Sequence, residues 1–224
     1  MDETRGAVDS ASSPHPATAR WVVVVPVKGS REAKSRLGDM PERPALAEAF
    51  ALDTVAALVA ASAVERVFVV TGSAQLGTLL AGLGAVIVRE QLASETGHAR
   101  LNAAIVQGIA AARFANPLAN LAVMTGDLPA LHPADLENVF ALAAGHPRSM
   151  VADAEGVGTT TLFARAGVDF TPNFGVGSRA AHEAEGHVVL DLPRTSSLRR
   201  DVDTAADLDA ARQLGLGQHT SALL

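Results

Sequence analysis

The feature that most constrains the fold is a regular alternation between short apolar runs and longer helical stretches. Strands are predicted over 21–27, 66–71, 85–88 and 121–125, with weaker signals over 149–152, 159–163 and 187–190. Helices are predicted over 45–61, 74–81, 99–114, 133–144, 178–185 and 204–214. The first strand is apolar from Val22 to Val25, which is typical of a strand buried on both faces. The alternation predicts an α/β fold with a mostly parallel sheet and helices on both faces.

The length of the chain favours a single domain. The 224 residues suit one α/β domain, which we expect over 20–215, and no internal repeat is found. Residues 1–19 are rich in Ser, Pro, Ala and Thr, and they predict a disordered tail without the apolar core of a secretory signal. Residues 216–224 are expected to form a flexible C-terminal tail.

The composition excludes several classes of function. A formal net charge of −6 argues against a broad nucleic-acid surface. The absence of cysteine excludes disulfides, thiolate zinc sites and a cysteine nucleophile, and it fits a reducing cytoplasm. No apolar run reaches the roughly 18–20 residues that span a bilayer. We therefore expect a cytoplasmic protein that binds neither nucleic acid nor membrane.

A basic loop follows the first strand and is a candidate phosphate site. It contains Lys28, Gly29, Arg31, Lys34 and Arg36, and its Gly-Ser turn can present backbone N–H groups to phosphate. The loop lacks the second glycine of a Walker A motif, so we reject that assignment. A solvated basic loop is the alternative. Four basic residues in one short loop of an acidic protein nevertheless favour a polyanion such as a triphosphate.

The turn after the strand over 121–125 carries Asp127. Open α/β sheets bind their ligands outside the carboxyl ends of the strands, where this turn is expected to lie. A carboxylate there suits a Mg²⁺ ion held against phosphate oxygens. Alternatively, Asp127 simply opens a turn with Pro129.

A second acidic segment precedes the last predicted long helix. Asp201 and Asp203 flank Val202, so in an extended segment both carboxylates point to one face. Two such groups repel each other unless a cation or a proton lies between them. Helix capping by Asp203 or Thr204 is the alternative, although capping leaves Asp201 unexplained. Together with Asp127, these acids predict an oxygen-rich site for Mg²⁺.

Further polar segments point to an anion and a nucleotide. Gly175 and Ser178 precede a predicted helix, whose first N–H groups can bind an anion, and Thr160 adds a hydroxyl from an upstream segment. An ordinary glycine-rich turn and an ordinary strand start are the alternatives. Asn102 lies early in a predicted helix, where it can bind a ribose or a base or be a commonplace helix residue. The lone His98 is given no role.

The order of these motifs resembles the nucleotidyltransferase superfamily, whose Rossmann-like fold is that of nucleotide-diphospho-sugar transferases. More closely, it resembles the guanylyltransferases of coenzyme F-420 biosynthesis. The resemblance covers 21–214. It rests on the motifs Pro-Val-Lys, Lys-Ser-Arg-Leu, Leu-Asn-Ala-Ala, Gly-Asp-Leu-Pro and Asp-Val-Asp-Thr, and more specifically on Gly-Thr-Thr-Thr and Asn-Phe-Gly-Val-Gly-Ser.

The resemblance implies an activity. Family members transfer GMP from GTP to phosphoenolpyruvate or 2-phospho-L-lactate and release pyrophosphate. The alanine-rich chain resembles the actinobacterial branch, which favours phosphoenolpyruvate, enolpyruvyl-diphospho-guanosine as product, and a later F-420 pathway transferase as a partner. Related molybdenum-cofactor and sugar-phosphate transferases open with an Ala-Gly-Gly loop that is not found here. A non-catalytic nucleotide-binding domain is disfavoured by the three retained acids.

The resemblance also implies a role for each candidate residue. The implied roles are catalysis by Lys28, Lys34 and Asp127; acceptor binding by Thr160, Gly175 and Ser178; nucleotide binding by Lys28, Gly29, Lys34, Arg36, Thr71, Gly72, Gly97 and Asn102; and Mg²⁺ binding by Asp127, Asp201 and Asp203.

Overall fold

The computed structural model describes residues 20–28, 43–91 and 96–224. The predicted N-terminal tail lies outside these residues, as do Gly29, Lys34 and Arg36 of the basic loop. Lys28 is the part of the predicted phosphate loop that the structure describes.

Strands and helices alternate as predicted, with most boundaries shifted by one or two residues. No helix within the described residues combines the length and the apolar character needed to cross a membrane. The strands are β1 (Trp21–Val27), β2 (Val64–Thr71), β3 (Val86–Arg89), β4 (Asn120–Met124), β5 (Arg148–Ala152), β6 (Thr159–Ala164) and β7 (Val188–Val189). The helices are α1 (Arg43–Ala60), α2 (Ala74–Gly82), α3 (Gly97–Ala115), α4 (Pro133–Ala143), α5 (Ser178–Ala184), α6 (Ala205–Leu214) and α7 (Gln218–Ser221).

All seven strands of the described chain form one sheet in the order β3-β2-β1-β4-β6-β5-β7. Strand β6 runs antiparallel to both of its neighbours, and every other pair is parallel. The short connection over 153–158 explains this exception, because a parallel pair needs a crossover of about a dozen residues or more. The predicted mostly parallel α/β fold is thus confirmed. The antiparallel direction of β6 was not predicted.

The strand order reverses beside β1, which lies between β2 and β4. A crevice opens at such a point outside the carboxyl ends of the strands, and ligands of open α/β sheets bind there. Because β6 is antiparallel, its first residues lie at this same edge, with Thr161 paired to Met124 at the end of β4. The topology therefore brings segments distant in sequence to one edge of the sheet.

Alternate residues of β1 pack on opposite faces of the sheet, as the all-apolar run predicts. Val23 and Val25 belong to a core shared with α1, α2 and α4. Val22 and Val24 belong to a second core, shared with α3. Helices therefore cover both faces, and removing this apolar surface from water is the main force holding the layers together.

Gly108 allows α3 to lie very close to the sheet. A Cβ at this position would lie 2.4 Å from Cγ1 of Val24 and 2.6 Å from Cγ2 of Val70, which is too close for any side chain. The close approach fixes α3 against β1 and β2, and the first turn of α3 lies at the carboxyl edge.

The C-terminal residues differ from the flexible tail that we expected. Helix α7 packs against α1, where the carboxylate of Asp53 accepts hydrogen bonds from the backbone N–H groups of His219 at 2.9 Å and Thr220 at 2.8 Å. The N–H of Gly217 donates to the carbonyl of Pro129 at 2.8 Å. These partners are far apart in sequence, so no local pattern indicates the docking.

Candidate active site

A cavity of about 230 Å³ lies at the carboxyl edge of the sheet, between the ends of β1 and β2 and the first turns of α3. Of the predicted nucleotide-binding residues, Lys28 and Gly97 line it. The lining residues are Pro26, Val27, Lys28, Val70, Glu90, Thr96, Gly97, Arg100, Leu101 and Ala104. The cavity is bounded by apolar strand residues and by a cation at the end of β1.

An ion pair that the sequence analysis missed forms one wall of this cavity. Arg100 binds Glu90 through two hydrogen bonds, from Nε to Oε1 at 2.7 Å and from Nη2 to Oε2 at 3.2 Å. Ten residues and a change from strand to helix separate the partners, so spacing alone does not reveal the pair. The pair ties the end of β3 to the start of α3.

Thr71 and Gly72 lie beside the cavity but are not among its lining residues. The hydroxyl of Thr71 accepts a hydrogen bond from the N–H of Ser73 at 3.2 Å, and its carbonyl accepts one from Glu90 at 3.0 Å. A Cβ at Gly72 would lie 3.2 Å from Oε2 of Glu90. Both residues therefore shape the turn next to the ion pair, and their predicted contact with the base stays a prediction.

Asp127 lies at the carboxyl edge, in a turn held from three sides. The N–H of Thr125 donates to the carbonyl of Thr160 at 2.9 Å, which ties the start of the turn to β6. After Asp127, the N–H of Leu128 donates to the hydroxyl of Thr54 in α1 at 3.0 Å. The third contact is the carbonyl of Asp127 itself, which accepts from Val202 at 3.0 Å. The turn is therefore fixed in position by long-range bonds.

The same backbone bond brings the second acidic segment to Asp127. Val202 is completely buried, whereas Asp201 is half-buried and Asp203 is exposed, which fits side chains that alternate about an extended segment. Thr204 is the N-cap of α6, and its capping box with Asp207 leaves Asp203 outside the capping role. The side chain that caps α6 is therefore that of Thr204, and capping does not account for Asp203.

The three acids belong to hydrogen-bonded neighbouring loops, but they do not form a ready-made metal site. Within residues 20–28, 43–91 and 96–224, no group of three or more His, Cys, Asp or Glu side chains is arranged to hold a metal ion. The chemistry of the donors suits Mg²⁺, because carboxylate oxygens are hard ligands. The magnesium site over Asp127, Asp201 and Asp203 stays a prediction.

The predicted acceptor residues come from two segments on the other side of Asp127. Gly175 and Ser178 are joined by a 3.1 Å bond from the N–H of Ser178 to the carbonyl of Gly175. Gly177, rather than Ser178, is the N-cap of α5. Thr160 is buried, and its hydroxyl donates to the carbonyl of Leu198 at 2.6 Å.

Asn102 of helix α3 holds the loop over 173–175 in place, and His98 lies close to the same loop. The amide of Asn102 donates to the carbonyl of Phe174 at 3.0 Å and accepts from the N–H of Phe174 at 2.9 Å. Gly175 has a φ of +143°, and a Cβ there would lie 2.9 Å from Cγ of His98. Neither contact is indicated by the sequence, and the nucleotide-binding role predicted for Asn102 stays a prediction.

Two buried histidines, His182 and His187, lie close to the loop over 173–175. Burial, with a smaller contribution from the nearby His187, lowers the pKa of His182 to about 4. Burial also lowers the pKa of His187, against the opposing effect of its hydrogen bond to the carbonyl of His182. Both rings are therefore neutral near pH 7, and a neutral imidazole has one nitrogen that donates and one that accepts.

Known proteins match this chain in sequence over most of its length. A family model described as the MobA-like NTP transferase domain matches residues 36–190. A phosphoenolpyruvate guanylyltransferase from Streptomyces coelicolor is 48% identical over 207 residues, covering 91% of this chain and 95% of the relative. A relative of the same name from Thermomonospora curvata is 46% identical over 211 residues, covering 93% and 90% of the two chains.

Solved structures agree on the fold. A nucleotide-diphospho-sugar transferase from Desulfovibrio desulfuricans G20 superposes with a TM-score of 0.67 at 15% identity, over 92% of this chain and 94% of that one. A 4-diphosphocytidyl-2C-methyl-D-erythritol synthase gives a TM-score of 0.60 at 12% identity, over 88% and 99%. The fold is therefore that of the nucleotide-diphospho-sugar transferases. By the identity and coverage of its relatives, the chain belongs to the MobA-like nucleotidyltransferase family and, within it, to the family of the phosphoenolpyruvate guanylyltransferases.

Proposed function

We propose that this protein transfers GMP from GTP to phosphoenolpyruvate, releasing pyrophosphate and forming enolpyruvyl-diphospho-guanosine. The observation that carries the proposal is the 48% identity to a phosphoenolpyruvate guanylyltransferase over 91% of the chain. The cavity between β1 and α3 supports it, because a nucleotide needs an apolar crevice with a cation at the phosphate end.

The nucleotide half of the proposed site is the cavity at the end of β1. Lys28 supplies positive charge there, and Gly97 borders the same space. We propose that Gly29, Lys34 and Arg36 complete the phosphate contacts and that Thr71, Gly72 and Asn102 complete guanosine binding. Positive charge at the polyphosphate is required because GTP and the acceptor are both anions.

The acceptor half is the segment around α5. We propose that Thr160, Gly175 and Ser178 bind the phosphorylated acid. The bond between Ser178 and Gly175 supports a common pocket for the latter two. The tie between Thr125 and Thr160 supports a pocket adjacent to Asp127, since both residues neighbour that turn.

Asp127, Asp201 and Asp203 are proposed to hold Mg²⁺. The backbone bond between Asp127 and Val202 supports this, because it joins the two loops that carry the acids. When bound, the ion would neutralise charge on the polyphosphate and on the transition state.

The chemistry needs no protein nucleophile. A phosphate oxygen of the acceptor attacks the α-phosphorus of GTP, a new P–O bond forms, and the bond to the β-phosphate breaks with release of pyrophosphate. The acceptor phosphate is already largely ionised near pH 7, so no general base is needed. The chain's contribution is to hold two anions in line and to offset their repulsion with Lys28 and Lys34.

The direct test is pyrophosphate release from GTP with phosphoenolpyruvate, 2-phospho-L-lactate or 3-phosphoglycerate as acceptor. We expect Mg²⁺-dependent release with phosphoenolpyruvate and little with the others. Preference for 2-phospho-L-lactate would change the acceptor but keep the reaction. No release with any acceptor would refute the proposed function. As an enzyme that uses GTP, the protein is proposed to act in the cytoplasm and to supply a later transferase of coenzyme F-420 biosynthesis.

A further inference from the structure

His182 connects the segments that carry the three proposed acceptor ligands. It lies in α5, one helical turn after Ser178. Its Nδ1 lies 3.0 Å from the hydroxyl of Thr159, the residue before Thr160. Its Nε2 accepts a hydrogen bond of 3.0 Å from the N–H of Asn173, two residues before Gly175. One side chain therefore joins β6, the loop over 173–175 and α5.

The geometry fixes the tautomer of this ring. Because the N–H of Asn173 can only donate, Nε2 must carry a lone pair, and the proton of the neutral imidazole then lies on Nδ1. Nδ1 consequently donates to Thr159, whose own hydroxyl is free to donate to Sδ of Met150 at 3.9 Å. In the series Asn173, His182, Thr159 and Met150, every donor therefore faces an acceptor.

The surroundings favour the neutral ring. His182 is completely buried, and aromatic contacts with Phe174 and His187 flank it. Two charged groups, Arg148 and Glu185, lie near His182 and His187. Arg148 donates to the backbone carbonyl of Glu185, and the carboxylate of Glu185 accepts from the side chain of Asn173. A protonated ring would lose the Asn173 bond, because Nε2 would then carry a hydrogen.

We propose that His182 is a positioning residue for the acceptor: its neutral imidazole holds the loop over 173–175 against β6 and α5, so that Thr160, Gly175 and Ser178 form one pocket for a small phosphorylated acid. This inference rests on the proposed function, and it adds a residue that does not itself touch the substrate. We expect a larger effect on the acceptor than on the nucleotide, because none of residues 173–175 lines the nucleotide cavity and the loop meets the nucleotide side indirectly, through the bonds between Phe174 and Asn102.

The test compares three variants by the KM for phosphoenolpyruvate, the KM for GTP and kcat. His182→Leu removes both bonds and should raise the KM for phosphoenolpyruvate about tenfold or more, since a lost hydrogen bond of this kind corresponds to about that factor. The KM for GTP should rise by a clearly smaller factor, because the loop reaches the nucleotide side only indirectly, through Asn102. His182→Gln keeps an amide oxygen that can accept from Asn173, so it should recover part of the loss.

His187→Leu is the matched control. It removes the neighbouring buried imidazole, whose Nδ1 bonds only to the carbonyl of His182 among the bonds described. We expect a lower melting temperature with a nearly unchanged KM for phosphoenolpyruvate.

A pH series measures an effect that a merely structural role of His182 would not produce. As the pH falls toward 4, the KM for phosphoenolpyruvate should rise more steeply in the unaltered enzyme than in His182→Leu, because both share the protonation of the substrate phosphate but only the unaltered enzyme has the imidazole.

The outcomes separate the two proposals. Transfer by the unaltered enzyme with equal effects of His182→Leu on both substrates, or an equal effect of His187→Leu, would overturn the positioning role alone. No transfer to any acceptor by the unaltered enzyme would overturn both proposals. If His182→Leu does not fold, Thr159→Val removes only the partner of Nδ1. An unchanged KM for phosphoenolpyruvate in that variant would also overturn the role.

Discussion

The proposed nucleotide side and the proposed acceptor side of the sheet edge are built differently. On the nucleotide side, parallel strands β1 and β2 end at a cavity, with Lys28 at its rim. On the acceptor side, His182 joins the antiparallel strand β6 to the loop before α5, Asn102 joins that loop to α3, and the hydroxyl of Thr160 in β6 donates to the carbonyl of Leu198.

The comparison shows how the residues of each half are held in position. The proposed acceptor half is held by the protein's own bonds, so a small ligand bound there would meet a preformed pocket at little ordering cost. The described residues of the nucleotide half form a cavity and place the positive charge of Lys28 beside it. Substitutions on the nucleotide side should therefore remove contacts with a ligand, whereas substitutions on the acceptor side should also displace other residues.

The largest expected effect belongs to Asp127, which lies between the two halves. Asp127→Asn keeps the shape and the backbone bonds of the turn but removes the charge. We expect kcat to fall by about 10²–10³-fold, as when a group that stabilises a developing charge is lost. The melting temperature should stay nearly constant. The exposed Asp209→Asn is the matched control, and near-normal turnover in Asp127→Asn would remove this residue from the metal site.

Lys28→Met tests whether the nucleotide side acts through direct contact. Loss of a charge-assisted hydrogen bond should lower kcat/KM for GTP by roughly 10–100-fold, with little change in the KM for phosphoenolpyruvate. Steady-state kinetics with each substrate varied in turn gives both values. Arg66→Met is the control, because this exposed cation lies near the opposite end of β2. A larger effect on phosphoenolpyruvate than on GTP would break the proposed division into halves.

Ser178→Ala tests the acceptor side at a proposed contact. We expect the KM for phosphoenolpyruvate to rise about tenfold, which is the size of one lost hydrogen bond. The KM for GTP should stay within error, and Ser221→Ala in the distant α7 should change neither value. An effect on GTP alone would contradict the assignment of this pocket.

The smallest expected effect is an acid sensitivity that originates on the acceptor side. The pKa values of His182 and His187 are lowered from 6.5, chiefly because burial disfavours the charged ring. The unfolded chain therefore binds protons that the folded protein does not. The free energy of unfolding should fall as the pH drops below 6.5 toward 4. Urea unfolding across this range measures the slope, which should be shallower in His182→Leu; equal slopes would contradict this origin.

Much of the fold follows from the sequence, because its signals are local. Apolar strand runs such as that from Val22 to Val25, and the alternation with helices, predict the sheet and its two covered faces. The direction of β6 was not predicted, although the short connection before Thr159 explains it once the pairing is known. The docking of α7 depends on Asp53, which lies 167 residues from Thr220 in sequence, and no local pattern carries that information.

The same limit applies to the site. The position of Asp127 follows from a strand end, and alternation about Val202 relates Asp201 to Asp203. The two bonds between Asn102 and Phe174 span 72 residues, and the role of His182 depends on three segments meeting in space. Sequence patterns identify candidate groups, whereas the folded chain shows which of them hold others in place.

The central claim is tested most directly by following a radiolabel on the α-phosphate of GTP. We expect the label to move to a product that contains the carbons of phosphoenolpyruvate, with one pyrophosphate released for each label transferred. Label transfer should require phosphoenolpyruvate and should be lost in Asp127→Asn. Label that stays in GTP when phosphoenolpyruvate is present, or that is released as free GMP, would contradict the assignment of this protein as a phosphoenolpyruvate guanylyltransferase.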